Sequence, residues 1–136
     1  MSNHRAYQLY AHITWHTRRR VGCVDEMAAR DVRSAVRTAS RRHSVRVLRG
    51  AVLADHVHLL VSFRPATRLS DFVRVAKSIS ARRTNRRVPG AVKWARGYFV
   101  RSVSKSELPV VSRYIARQPL RHPDLIPQPP SPPPDP

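Results

Sequence analysis

His56 and His58 stand two residues apart in a run, residues 53–63, that otherwise reads as a buried β-strand. Side chains at i and i+2 point to the same side of a strand, roughly 6–7 Å apart along it. Both imidazoles can therefore converge on one object, and a metal ion is the obvious one. The plainer alternative is a pair of surface histidines on a polar sheet face. Asp55, just before the pair, suits either a turn or an acceptor that orients a histidine ring. Later in the chain Tyr114 and Gln118 are spaced i and i+4, so a helix would carry a phenol and a carboxamide on one face, a turn apart. Val111 and Ile115 border that face and supply apolar surface to pack it on a sheet.

Other residues of the same types read as structural. Tyr98 is a rival phenol, but it lies beside Phe99 on a strand, where core packing is its expected role. His12 and His16 have even spacing in an earlier strand and read as sheet histidines, whereas His43 and His122 read as surface residues. Trp94 suits either stacking on a base or packing against the strand that follows it. Cys23 is the only cysteine, which excludes an intrachain disulfide and a cysteine-built zinc cage.

The elements that must position these groups follow from periodicity. Residues 7–15 are β-branched and aromatic enough for a first strand, closed by the basic turn Arg18, Arg19 and Arg20. A helix opens near Asp25, with Met27, Ala28, Val32, Ala35, Val36 and Ala39 recurring on one face and acidic residues where its dipole favours them. Residues 45–53 and 53–63 alternate as two strands around Ala54 and Asp55, or as one kinked strand. In the second, Val57, Leu59, Val61 and Phe63 face away from His56 and His58. A second helix spans residues 67–86 with Leu69, Phe72, Val73, Ala76 and Ile79 on its apolar face, and Pro89 and Gly90 end it. A short strand at 97–103 precedes a last helix from about Ser106 to Gln118, stopped at Pro119. The order β-α-β-β-α-β-α predicts an α+β fold, a ferredoxin-like split βαβ pattern in which an antiparallel sheet carries helices on one face and a C-terminal helix brings the tyrosine. Residues 1–122 would form one domain, and the proline-rich residues 123–136 an extended, disordered tail.

Charge narrows the partner. Lys+Arg number 26 against 8 Asp+Glu, a net +18 in 136 residues. A GC-rich genome explains why nearly all of these are arginine, but not the surplus itself. Such an excess points to a polyanion, because neutralising phosphates releases counterions. Nucleic acid is favoured over an anionic membrane surface, since no basic amphipathic helix with bulky aromatics is present. Arg18, Arg19, Arg20, Lys77, Arg82, Arg83 and Arg86 are the candidate phosphate contacts, with a solvated basic face as the alternative. No apolar run reaches membrane-spanning length, no signal-peptide layout opens the chain, and a cytoplasmic location is expected.

The motifs ADHVHLLVSF at 54–63, RGYFVRSV at 96–103 and YIARQ at 114–118 together resemble the single-tyrosine HUH transposases, the insertion-sequence and REP-associated family that acts on single-stranded DNA. The resemblance runs from the first strand to Gln118. It implies that His56, His58 and Gln118 are metal ligands for Mg2+ or Mn2+ and that Tyr114 is the nucleophile. The expected activity is a metal-dependent transposase that cleaves and rejoins single-stranded DNA through a 5′-phosphotyrosine. The resemblance further implies a homodimer whose sheets join, a DNA hairpin near the cleavage site, and in some relatives a tyrosine acting on the partner's histidines. A domesticated REP-associated transposase would share this chemistry. A non-catalytic RNA- or DNA-binding module on the same sheet is the alternative from another class, and it would need exposed aromatics for stacking.

Overall fold

The computed structural model describes residues 7–132. Its elements are β1 (Leu9–His16), α1 (Glu26–His43), β2 (Val45–Val52), β3 (His56–Phe63), α2 (Leu69–Arg87), β4 (Phe99–Val103), α3 (Leu108–Ala116) and α4 (Gln118–Arg121). The strands form one antiparallel sheet in the order β2-β3-β1-β4, which is the expected ferredoxin-like arrangement. β1 and β3 are central, with Thr14 opposite His58 and His16 opposite His56.

Alternation sorts the side chains between two faces. Ile13 and Trp15 of β1 and Val57, Leu59 and Val61 of β3 meet Val32, Val36 and Ala39 of α1 and Phe72, Val73 and Ala76 of α2 in the main core. Burying each of the valine, leucine, isoleucine or phenylalanine side chains contributes about 1.5–3 kcal/mol. On the opposite face α3 lays Val111 and Ile115 over Leu60, Ala51 and Val103. α1 begins where Asp25 accepts a hydrogen bond from the Ala28 amide at 2.8 Å, and it ends at Ser44 in the left-handed conformation. Met27, expected on its apolar face, is instead exposed. β2 carries a bulge between Val47 and Arg49, so Leu48 has no partner in the register.

Three expectations near the C-terminal end are corrected. The last helix does not run unbroken from 106 to 118. Residues Lys105–Glu107 form a 3-10 turn closed by a Ser104–Glu107 capping box, α3 ends at Ala116, and α4 starts at Gln118. The break has a covalent cause, because Pro119 has no N–H to give the Ile115 carbonyl, yet in the first turn of α4 that loss is harmless. The segment after His122 is not wholly detached. Pro123–Leu125 makes a 3-10 turn, the Leu125 carbonyl accepts from the Ala54 amide at 2.7 Å, and the Gln128 carbonyl accepts from the Glu26 amide at 2.8 Å. Tyr98 is not a core residue, being 43% exposed on the α2 side of the sheet near Ser70, Val73 and Arg74.

Candidate active site

The strand register gathers more histidines than the two-residue motif alone suggested. His12 and His16 on β1 share a face with His56 and His58 on β3, because residues paired across antiparallel strands point the same way. The His56 and His58 ring centroids are 4.8 Å apart, His16 stacks on His56 at 5.6 Å, and His12 stacks on His58 at 5.1 Å. His122, at the end of α4, approaches His56 to 6.4 Å. The even spacing of His12 and His16 was the signal for this cluster. By itself that spacing suits a structural role equally, because nothing in the sequence states which strand lies beside which.

Three hydrogen bonds fix how the motif's rings face. Asp55 Oδ1 lies 2.6 Å from His56 Nδ1, and His12 Nε2 lies 2.9 Å from His58 Nδ1, with Thr14 Oγ1 at 3.2 Å from the same atom. Nδ1 is thus engaged in both rings, and Nε2 is left as the free nitrogen of each. His58 has its pKa pushed down to about 3, chiefly by burial, then by the neighbouring His56, His12 and His16. A ring held neutral keeps a lone pair for a metal.

α3 and α4 bring the other half of the site. Tyr114 is 39% exposed, and its ring stands edge-on to His58 at 5.8 Å and to His12 at 6.0 Å. Gln118 is fully buried close to His58, near enough to work slightly against the lowering of that ring's pKa. Its Nε2 has no hydrogen-bond partner, an arrangement that costs a buried amide about 1–3 kcal/mol. Among the described residues no three His, Cys, Asp or Glu side chains are grouped to hold a metal. The His56 and His58 imidazoles and the Gln118 carboxamide are nitrogen and oxygen donors of types that suit a divalent ion. Arg121, one turn beyond Gln118, places its guanidinium 5.5 Å from the Tyr114 ring centroid.

The structure thus brings together His56, His58, Tyr114 and Gln118. It does not bring the α2 cations to them. Lys77, Arg82, Arg83 and Arg86 lie on α2, which packs on the other face of the sheet. Lys77 donates to the Ala95 and Gly97 carbonyls and Arg83 to Ser34 Oγ, whereas Arg82 and Arg86 are exposed. Arg18, Arg19 and Arg20 form an exposed turn after the buried Thr17 that follows His16, with Arg19 and Arg20 both at left-handed φ (57° and 55°). Such geometry costs a non-glycine residue about 1–3 kcal/mol. Trp94 packs edge-on to Trp15 at 6.2 Å and donates to Ser80 Oγ, which settles its choice of roles toward packing.

Fold and site together define a ferredoxin-like domain in which a histidine pair on a central strand faces a helix-borne tyrosine and glutamine. The chain belongs to the IS200-like transposase family, whose profile matches residues 5–118. It is similar to the ISDra2 transposase TnpA of Deinococcus radiodurans, 29% identical over 119 residues, covering 82% of this chain and 85% of that protein. A crystal structure of a candidate transposase from Deinococcus radiodurans R1 superposes with TM-score 0.66 at 26% identity, covering 87% of this chain and 96% of that one. A REP-associated tyrosine transposase solved with a REP hairpin shares the fold, with TM-score 0.71 at 18% identity over 90% of this chain and 74% of that one. Among the described residues no helix is long and apolar enough to cross a membrane.

Proposed function

We propose that this transposase cleaves and rejoins single-stranded DNA through a covalent 5′-phosphotyrosine on Tyr114. The observation that carries the reading is the partly exposed Tyr114 standing against His58 and His12, one turn from the buried Gln118. The Tyr114 oxygen attacks phosphorus, the P–O3′ bond breaks, the phenolic proton passes to solvent, and the departing oxygen is protonated to a free 3′-OH. A 3′-OH reverses the step and releases the tyrosine, so strands are joined without a further energy source. A phenol with an ordinary pKa near 10 is a better leaving group than an alkyl alcohol, which keeps the intermediate reactive.

His56, His58 and Gln118 are the residues that would hold Mg2+ or Mn2+, which when bound supplies positive charge to polarise the phosphodiester. Asp55, His12 and Thr14 keep the two rings turned with Nε2 free. Arg121 adds a cation beside the phosphate that Tyr114 would carry. The basic surface suits a DNA partner, and the REP-associated neighbour, solved on a hairpin, supports a hairpin next to the cleavage site. The open edges of β2 and β4 suit a homodimer with joined sheets, and a cytoplasmic location accompanies the same reading.

The test uses hairpin-bearing single-stranded DNA labelled at its 3′ end, incubated with Mn2+ and run under denaturing conditions. A labelled covalent adduct is expected with the wild-type chain and none with Tyr114→Phe. Absence of the adduct in wild type, or an undiminished one with Tyr114→Phe, overturns the reading. DNA binding that survives EDTA without any cleavage would favour the non-catalytic module.

A further inference from the structure

The motif RGYF contains an aromatic that neither the core nor the chemistry above uses. Phe99 is 57% exposed, and it opens β4 at the edge of the sheet. Its register partner is Thr14, which in turn faces His58, so Phe99 lies on the histidine face in the row of the active site. Two strand spacings, about 10 Å, separate it from His58 across the sheet. Two residues on, Arg101 pairs with His12 on the same face. Arg101 has only a loose ion pair with Glu107 at 3.9 Å, with both side chains about half exposed, which leaves the guanidinium available.

The surroundings keep this patch open and in place. α3 packs over Leu60, Ala51 and Val103, which covers one end of the face and leaves the Phe99 end bare. The chain entering β4 is pinned, because the Ala95 amide donates to the His16 carbonyl at 2.9 Å and Lys77 Nζ donates to the Ala95 and Gly97 carbonyls at 2.7 and 3.0 Å. Gly97 makes the entry with φ +80°, a conformation that favours glycine. An exposed aromatic, an adjacent loosely paired guanidinium and the neighbouring tyrosine and histidines are the elements of a single-strand binding surface. Every base offers a π-face to an aromatic ring, and phosphates follow the cation.

We propose that Phe99 and Arg101 form a floor for the DNA nucleotides flanking the bond that Tyr114 attacks, Phe99 stacking on a base and Arg101 contacting a phosphate. The proposal rests on the strand-cleavage reading, deepens it by naming where the substrate lies, and makes both residues positioning groups. It commits to single-stranded DNA because the patch is cationic and continuous with the site.

The experiment measures binding of a single-stranded oligonucleotide carrying 2-aminopurine at successive positions to the full chain, across a salt series. Phe99→Ala should weaken binding about tenfold and abolish the quenching of one particular 2-aminopurine, while Phe99→Trp should restore both. Arg101→Gln should lower the slope of log affinity against log salt by about one. Unchanged affinity and quenching in Phe99→Ala overturn the floor, as does a lower mass by light scattering with intact DNA affinity, which would make Phe99 a contact between copies. Adduct formation by Phe99→Ala with unchanged KM overturns the floor and leaves the chemistry standing. A wild-type chain that forms no adduct, yet loses binding through Phe99→Ala, overturns the chemistry and leaves the floor standing. No binding by the wild type overturns both.

Discussion

On one side of the sheet Ile13, Trp15, Val57, Leu59 and Val61 meet the apolar faces of α1 and α2, while the residues between them turn His12, His16, His56 and His58 toward Tyr114 and Gln118. The same two strands thus carry the core and the chemistry at alternate positions. The α1/α2 side is closed by interdigitated side chains. The α3 side tolerates a crowd of imidazoles, a buried amide with an unpaired end and an exposed aromatic. Polar crowding of this kind is costly, and it persists because the other face supplies the burial that holds the strands in register. Stability and function are divided by a period of two residues.

A pair of substitutions, one on each face, tests that division most severely. Phe72 is completely buried between α2 and the sheet, so Phe72→Ala should cost about 3–5 kcal/mol and lower the midpoint of thermal unfolding sharply. Tyr114→Phe removes only a hydroxyl at a half-open position and should leave stability within about 0.5 kcal/mol, while the DNA adduct disappears. Calorimetry and the adduct assay on both variants give the comparison. A Tyr114→Phe chain that unfolds as readily as Phe72→Ala would show that the two faces are not separate.

Alternation is also why one face was readable and the other only partly so. The inward row Val57, Leu59 and Val61 could be read directly, and with it the side on which His56 and His58 must lie. His12 and His16 carry the same even spacing, but their role depends on β1 lying beside β3 in a register that no local signal encodes. Gln118 posed the reverse problem. The proline after it predicts a helix end, and the chain does break at Arg117, but α4 restarts and holds the amide inside the site. The basic residues of α2 show the limit of composition. Their charge was plain, whereas their position across the sheet from Tyr114, and the internal bonds of Lys77 and Arg83, follow only from packing.

Lys77 links the two faces and offers a smaller test. It sits on α2, yet its ammonium holds the carbonyls of the loop that delivers β4 to the histidine side. Burial holds its pKa below the ordinary lysine range, consistent with an internal role. Lys77→Met keeps the aliphatic stem and deletes both hydrogen bonds, each made by a charged donor. The expected loss is about 1.5–3 kcal/mol, together with faster hydrogen exchange at the Ala95 amide, which bonds to the His16 carbonyl. Unchanged exchange there would mean that the backbone pairing alone positions β4.

The smallest effect, per unit of pH, separates the faces by titration. His58 in the folded chain binds a proton only near pH 3, chiefly because it is buried and then because three other histidines surround it; unfolded, it would do so near 6.5. Between those values the unfolded state holds a proton that the folded state lacks. Stability therefore rises with pH through this window and is lost progressively as pH falls from about 6.5 to about 3. One such group contributes at most about 1.4 kcal/mol per pH unit, less here because solvent reaches the partly open site. His12 and His16 shift in the same direction, burial being the leading cause for each, so they add to the acid sensitivity of the α3 side. Urea unfolding midpoints from pH 7 to pH 3 should fall less steeply in His58→Asn than in wild type, since carboxylate titration is common to both and cancels in the difference. In Phe72→Ala the curve should lie lower but keep the wild-type slope. Parallel curves for wild type and His58→Asn would show that the histidine cluster is more open to water than its packing implies.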